Sequence, residues 1–262
     1  MGERSILNDQ FLNLIFEAVI DSGDIALKLG GNALEVSYKS INQPVTNADL
    51  QINDYLRDFC NKNTPEFGWV SEESKDDNSR KSREYFWCLD PIDGTRSYIE
   101  RKSEYTIALA LMKKNEPILG IVYNPKTQEI FHATTNSSAF CNKKKIEVTK
   151  NNNLEKLNIA ISSSEKKNFD LYNLNYKKLL KIGSIAYKTV LVAKGEIDVT
   201  LSFTKKNDWD LAAANLILEK AGGLCTTITG QNIKFNTDDL KISSVLSTNG
   251  KIHSKLSDRF TC

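Results

Sequence analysis

The sequence contains only two histidines, His132 and His253, and that scarcity removes several kinds of chemistry at once. His132 lies in the strand-like "EIFHATT" and His253 in a polar tail, so Ser-His-Asp and Cys-His nucleophiles have little to stand on. Each histidine reads as structural or solvated. Cysteine is thin as well. Cys60, Cys88, Cys141, Cys225 and Cys262 are an odd number with no C-x-x-C spacing, which argues against a disulfide framework and against a zinc ribbon. They are expected to be reduced and to pack. No run approaches the roughly 18 apolar residues of a membrane span, and the opening "MGERSILNDQ" lacks the basic-then-apolar order of a signal peptide. The expectation is a cytoplasmic protein with no integral membrane segment. Excess charge is missing too: 35 basic against 33 acidic residues give no blanket attraction for nucleic acid or anionic lipid. No nucleic acid polymer is expected as a partner.

What is present describes an ordinary globule, with 262 residues, 40% of them hydrophobic, enough for one large domain or two modest ones. Apolar residues from Phe11 to Leu29 recur at three- and four-residue intervals, which predicts an amphipathic helix stopped by Gly30-Gly31. A second helix should begin near "TNADLQINDYLRDFC". The strands "GWV" and "YFWCLD" follow, then "YTIALALM", "PILGIVYNP" and "EIFHATT" with tight connections, which argues for an antiparallel meander. The stretch "CNKKKIEVTKNNNLEKLN" reads as a surface connection. It places a boundary near residue 150, between an N-terminal α+β domain (1–150) and a C-terminal α/β domain (151–262). Beyond it, "LNIAISSS", "EIDVTLSF" and "GLCTTIT" read as strands and "DWDLAAANLILEKAGG" as a helix. The fold class expected is a layered α/β arrangement of two sheets with flanking helices.

Within this pattern "WCLDPIDGT" places Asp90 and Asp93 three positions apart at a strand end. Pro91 biases Asp90 toward an extended backbone, so the strand should run out straight. Gly94 relieves crowding where the chain turns into "TRSYIE", a helix start whose free N–H groups could receive an anion. Capping alone could explain such a pair. Other acids stand at similar junctions: Glu72 and Glu73 in "WVSEES", Asp49 in "PVTNADL", Asp208 and Asp210 in "DWDLAAANL". Each has a plainer reading. Asp49 could complete a capping box with Thr46, Glu72 and Glu73 could be a solvated pair, and Asp208 or Asp210 could be a first-turn acid. Convergence in space would change the odds. Two carboxylates about 4 Å apart repel by about 4 kcal/mol at an effective dielectric of 20, so a cluster of four or five needs a cation. Oxygen-only ligands favour Mg²⁺ over zinc or copper, and metal-assisted hydrolysis is the chemistry that survives.

Four ordered motifs, "DPIDGT" at 90–95, "EE" at 72–73, "VTNAD" ending at Asp49, and "WDLAA" at 209–213 with "EKAGG" after it, resemble the Mg²⁺-dependent, lithium-sensitive phosphatases of the inositol monophosphatase superfamily. The resemblance spans nearly the whole chain. It implies the layered αβαβα sandwich shared with fructose-1,6-bisphosphatase, with most metal ligands in the first domain and Asp210 and substrate contacts in the second. It also implies two or three Mg²⁺ ions: Glu72 bridging, Asp90 and the Ile92 carbonyl completing the first site, Asp93 and Asp210 holding a second ion. Thr95, oriented by Asp49, would position the attacking water, with Glu72 also in the catalytic set. Gly94, Thr95, Ser184, Lys188 and Asp210 would contact a small-molecule phosphate ester. A homodimer is compatible with it.

The details look most like the 3'(2'),5'-bisphosphate nucleotidases of sulfur metabolism. "PVTNADLQIN", "VSEES" and "DGTRSYIERKSEYTIALAL" carry that resemblance, and Phe203 falls where inositol monophosphatases use a glutamate on the inositol ring. Lys188 resembles a nucleotidase lysine, and Lys205 and Lys206 lie near Asp210, although solvated surface is the plainer reading of all three. The chain departs at "SSSE" (162–165), where nucleotidases carry an arginine-containing stretch. Inositol-1-phosphate and histidinol phosphate therefore stand as alternative substrates. A non-catalytic metal-binding regulatory module is the alternative of another class, and it would be expected to have lost some of these acids.

Overall fold

The computed structural model describes residues 6–260; Cys262 and the first residues of the N-terminus lie outside them. Helix α1 (Asp9–Leu29) opens on an Asn8 cap whose side chain accepts from the Phe11 N–H, and ends at Gly30. A hairpin of β1 (Val36–Ser40) and β2 (Gln43–Thr46) follows, then α2 (Asn47–Asn63). Sequence periodicity did not reveal that hairpin, because β1 is exposed along its whole length and has no buried face to mark it. Next come β3 (Gly68–Ser71), the short α3 (Ser79–Ser82), β4 (Tyr85–Asp93) and the single turn α4 (Thr95–Ile99). The expected meander is β5 (Thr106–Lys113), β6 (Glu116–Asn124) and β7 (Glu129–Thr134), extended by the two-residue β8 (Phe140–Cys141) and β9 (Lys144–Lys145). Strands β3 to β9 form one seven-stranded sheet in sequence order, parallel only between β3 and β4.

Beyond residue 150 the chain lays down β10 (Asn158–Ile161), α5 (Lys166–Asp170), β11 (Lys178–Lys181), α6 (Ile185–Ala193) and β12 (Val199–Ser202). It continues through β13 (Lys206–Asn207), α7 (Asp208–Lys220), β14 (Leu224–Thr226), β15 (Lys241–Ile242), β16 (Val245–Thr248) and α8 (His253–Phe260). Five of these strands make a second sheet in the order β11-β10-β12-β16-β14. The polar tail expected around His253 is in fact α8. Its histidine is buried, with Nε2 2.8 Å from Thr226 Oγ1 and Nδ1 2.9 Å from Thr248 Oγ1.

Three apolar clusters define the layers. One joins α1 and α2 to a face of the large sheet through Ile15, Ile52, Trp87 and Leu109; a second joins the opposite face to α6 and α7 through Cys88, Ala110, Val190 and Ile217. The third covers the outer face of the small sheet with α5 and α8 through Phe169, Leu201 and Leu256. The result is helix, sheet, helix, sheet, helix, the layered sandwich the sequence resembles. Alternation along β5 makes this possible: Ile107, Leu109 and Leu111 face α1 and α2, while Ala108, Ala110 and Met112 face α7. The α7 side is kept small. A Cβ on Gly120 would stand 2.4 Å from the Ala213 carbonyl oxygen, so the helix lies almost on the sheet backbone. That close approach aims the N-terminus of α7 at the carboxyl end of β4.

Candidate functional site

The strand expected to run out straight at Asp90 instead continues to Asp93 through a bulge. Asp90 pairs with Ala108 and Asp93 with Thr106, so three steps on β4 match two on β5. In a regular strand a spacing of three puts side chains on opposite faces; one extra residue restores them to the same face. Asp90 and Asp93 therefore both face the α7 layer, while Ile92 is buried with α1 and α2. Pro91 fits the bulge because it has no N–H to give to a ladder. Gly94 then turns the chain at φ 98°, where a Cβ would meet the Glu104 carbonyl oxygen at 2.8 Å. The helix that follows is one turn only, so its dipole contributes little.

Glu72, just past β3, and Asp210, in the first turn of α7, meet Asp90 here. Each offers a carboxylate oxygen, and the three oxygens lie within 4.8 Å of one another. Burial together with the charges of Glu72, Asp93, Asp210 and Asp49 drives the Asp90 carboxyl well above the usual carboxylate range. Burial and the neighbouring Asp93 push Asp210 up to about 7. Asp210 also accepts from the Asn207 N–H at 2.6 Å, so its helix-capping role and its place in the cluster coexist. Asp93 is turned differently. One of its oxygens accepts from Ser184 Oγ and from the Ala186 N–H at 2.6 Å, which ties it to the start of α6.

Asp49 completes the capping box with Thr46, as its plainer reading required. Its Oδ2 accepts from the Thr46 N–H at 2.8 Å and from Thr46 Oγ1 at 2.5 Å. The cap does not exhaust the carboxylate: Oδ1 is 3.5 Å from Thr95 Oγ1, which is also 3.0 Å from the Ile92 carbonyl oxygen. Burial pushes Asp49 up to about 7. Glu72 and Glu73 are not a solvated pair. Both accept from Lys39 Nζ on the hairpin, at 2.7 and 2.8 Å. Lys39 escaped sequence reasoning because the exposed hairpin around it gave no pattern.

Glu72, Asp90, Asp93, Thr95 and Asp210 line a cleft of about 430 Å³; Asp49, Glu73 and Lys39 stand behind its wall. The lining also includes Ser162, Ser163 and Ser164, Lys181 and Lys206, whose charge acts on Asp93 and Asp210, together with Glu100 and Glu104. Ser184 and Lys188 do not line it. Ser184 is spent on Asp93, and Lys188, far from being solvated, is buried with Nζ donating to Ser162 Oγ at 2.6 Å and to the Ile182 carbonyl at 2.9 Å. Burial lowers its ammonium to about 7. Of "SSSE", the serines face the cleft and Glu165 is buried, accepting from Ser202 and Thr204 Oγ1. Phe203 stacks on Tyr172 at 5.2 Å, outside the cleft wall.

A carboxylate-lined cleft at a bulged strand end, between the sheets of a layered α/β sandwich, defines the class of layered α/β phosphatases. A model of the inositol monophosphatase family matches residues 7–260, and the chain belongs to that family of Mg²⁺-dependent phosphatases. It is 28% identical to an inositol-1-monophosphatase of Synechocystis sp. over 94% of this chain and 87% of the relative. It is 29% identical to the 3'(2'),5'-bisphosphate nucleotidase CysQ of Buchnera aphidicola over 87% of this chain and 88% of the relative. The extragenic suppressor protein suhB of Bartonella henselae, a solved structure, superposes with a TM-score of 0.85 at 25% identity, over 96% of this chain and 98% of the other. Among the described residues no helix is long and apolar enough to cross a membrane.

Proposed function

We propose that this chain removes the 3'-phosphate of adenosine 3',5'-bisphosphate, giving AMP and phosphate, with two or three Mg²⁺ ions. The donor set fits that metal. Buried, mutually repelling carboxylates without a histidine or cysteine among them call for a hard cation. Glu72, Asp90 and the Ile92 carbonyl would hold one ion and Asp93 with Asp210 a second. Bound there, the ions supply the Lewis acidity and positive charge that in-line displacement at phosphorus requires.

The protein's own groups prepare the attack. Asp49 is fixed by its two bonds from Thr46, so Oδ1 faces Thr95 without freedom to turn away. The Thr95 hydroxyl donates to Asp49 Oδ1 and keeps lone pairs that accept from a water; as the water attacks phosphorus, its proton passes to Thr95 Oγ1 and the Thr95 proton passes to Asp49.

The observation that carries the substrate is the part of the cleft lining that bears lysines and hydroxyls. Lys181, Lys206 and the hydroxyls of Ser163 and Ser164 suit a second anionic group on the ester, while the Ser162 hydroxyl is taken by the Gly183 carbonyl and Lys188. Phe203 offers nothing to a polyol hydroxyl. A second reading, an inositol-1-phosphate or histidinol-phosphate phosphatase, rests on Glu104, whose Oε2 is buried without a hydrogen-bond partner beside the cleft and could accept from a hydroxyl or amine. Phosphate release from adenosine 3',5'-bisphosphate, inositol 1-phosphate and histidinol phosphate, each with and without Mg²⁺, tests the choice. The nucleotide should have the highest kcat/KM; if it is the poorest of the three, the substrate is misassigned.

A further inference from the structure

Arg80 is one of the largest fully buried side chains, yet it does not line the cleft and nothing in the chemistry above uses it. All three of its guanidinium nitrogens donate. Nε donates to Asp76 Oδ2 at 2.7 Å, Nη1 to Asn236 Oδ1 at 2.6 Å and to the Thr237 carbonyl at 3.1 Å, and Nη2 to the Asp238 carbonyl at 3.2 Å. Burying a charge costs several kcal/mol before its bonds are made, and an apolar side chain would fill the space at lower cost. What the planar fork adds is direction: it fixes two backbone segments relative to each other.

Those segments lead to opposite sides of the carboxylate cluster. Arg80 sits in α3, on the crossover from β3 to β4, between Glu72 and Asp90 in sequence. The loop it grips holds the start of α7: the Asn236 N–H donates to Asp208 Oδ2 at 2.5 Å, and the Asp208 N–H donates to the Leu240 carbonyl at 3.1 Å. Asp208 is the first residue of α7, two before Asp210. The same loop is braced by Lys81 Nζ on Asp238 Oδ1 at 2.6 Å and by Asn236 Nδ2 on the Lys114 carbonyl at 3.2 Å.

We infer that Arg80 is a positioning residue that sets the separation of Asp210 from Glu72 and Asp90 by clamping the β3–β4 crossover to the loop that holds the start of α7. The inference rests on the reading of this cluster as a metal site. Carboxylates brought together by two independently moving segments bind an ion only as well as the segments are held in register.

The test is Mg²⁺ binding by calorimetry, with each protein kept well below its melting temperature. Two variants separate the clamp from general stability. Arg80→Met keeps the stem volume and removes the fork. Asn236→Gly removes the Oδ1 that Arg80 grips but keeps the backbone N–H on Asp208, and glycine accepts the left-handed φ of 57° at that position. Arg80→Met should weaken Mg²⁺ binding about tenfold. Asn236→Gly, which also loses the Nδ2 brace on the Lys114 carbonyl, should weaken it in the same direction; if Arg80→Met does not fold, Arg80→Lys, which keeps the charge and loses the fork, decides the matter in its place. Lower melting temperatures with Mg²⁺ affinity equal to wild type would make Arg80 merely structural and overturn the inference. Failure of the wild type itself to bind Mg²⁺ would instead overturn the metal reading, and the inference with it.

Discussion

Lys39 Nζ lies 2.7 Å from Glu72 Oε1, so an exposed hairpin delivers an ammonium to the edge of a carboxylate cluster. A second bond to Glu73 at 2.8 Å holds it there. An ammonium on Glu72 opposes the same repulsion a divalent ion would, and an incoming ion must share that carboxylate with it. Lys39→Met should therefore bind Mg²⁺ more tightly. An ion pair that is partly exposed on both sides is worth up to about 1 kcal/mol, or roughly fivefold in Kd. A Mg²⁺ titration followed by calorimetry checks it; weaker binding in the variant would mean that the lysine assists the ion.

Asp93 serves two ends at once, lining the cleft beside the cluster and anchoring the start of α6 through Ser184 and the Ala186 N–H. Asparagine keeps a carbonyl oxygen for those donors and removes only the charge. Asp93→Asn should lower kcat by about a hundredfold or more while circular dichroism and melting temperature stay near wild type. A variant with near-normal turnover would remove Asp93 from the metal-binding set.

The pH dependence follows from the raised carboxyls. Asp210 moves from 3.8 to about 7, and Asp49 likewise. Folded protein without metal binds protons that the unfolded chain has released between those values, so this contribution to stability is present below about pH 4 and is lost as pH rises through about 7. Buried His253, lowered to about 4, has the opposite sign, which a difference measurement cancels. Relative to Asp210→Asn, metal-free wild type should lose stability steadily from about pH 4 to about pH 7 in urea titrations. Mg²⁺ should also bind wild type more weakly as pH falls through about 7, because the ion must displace those protons. A flat difference across this range would mean that Asp210 is already ionised in the folded, metal-free protein.

The layers were legible where burial is one-sided or complete. The period of α1, the apolar meander of β5 to β7, and the acid-to-glycine signature of α7 each follow from a face that must be hidden. Motif order pointed to Asp49, Glu72, Asp90, Asp93 and Asp210, at the strand ends and helix starts where a layered fold displays side chains, and the structure gathers Glu72, Asp90 and Asp210 within 4.8 Å of one another. What escaped was carried by residues whose sequence context is polar. "SYKSINQ" and "DDNSRKS" are polar stretches with no apolar period, yet Lys39 reaches the cluster and Arg80 is buried. The solvated reading of Lys188 fails for the opposite reason: its place in the mostly apolar "IAYKTVLVA" was the available signal of burial, and a charged side chain there needs the three acceptors the structure provides. The bulge at Pro91 has a mark, a proline inside an apolar strand, but in the sequence that proline reads only as straightening the strand end.

Specificity should separate from chemistry at the lysines of the cleft lining. Lys181 is exposed and Lys206 half-buried, and both line the cavity without touching Glu72, Asp90 or Asp210 as hydrogen-bond partners. A group that binds a second phosphate away from the reacting one stabilises ground state and transition state alike, so its loss raises KM and spares kcat. Each near-surface charge contact is worth about 1 kcal/mol, so Lys181→Met with Lys206→Met should raise KM for adenosine 3',5'-bisphosphate about 10- to 30-fold. KM for inositol 1-phosphate should change little, and the wild-type preference for the bisphosphate should weaken with added salt as these charges are screened. Equal losses on both esters would place the two lysines on the reacting phosphate itself, and a fall in kcat without a change in KM would place them in the transition state.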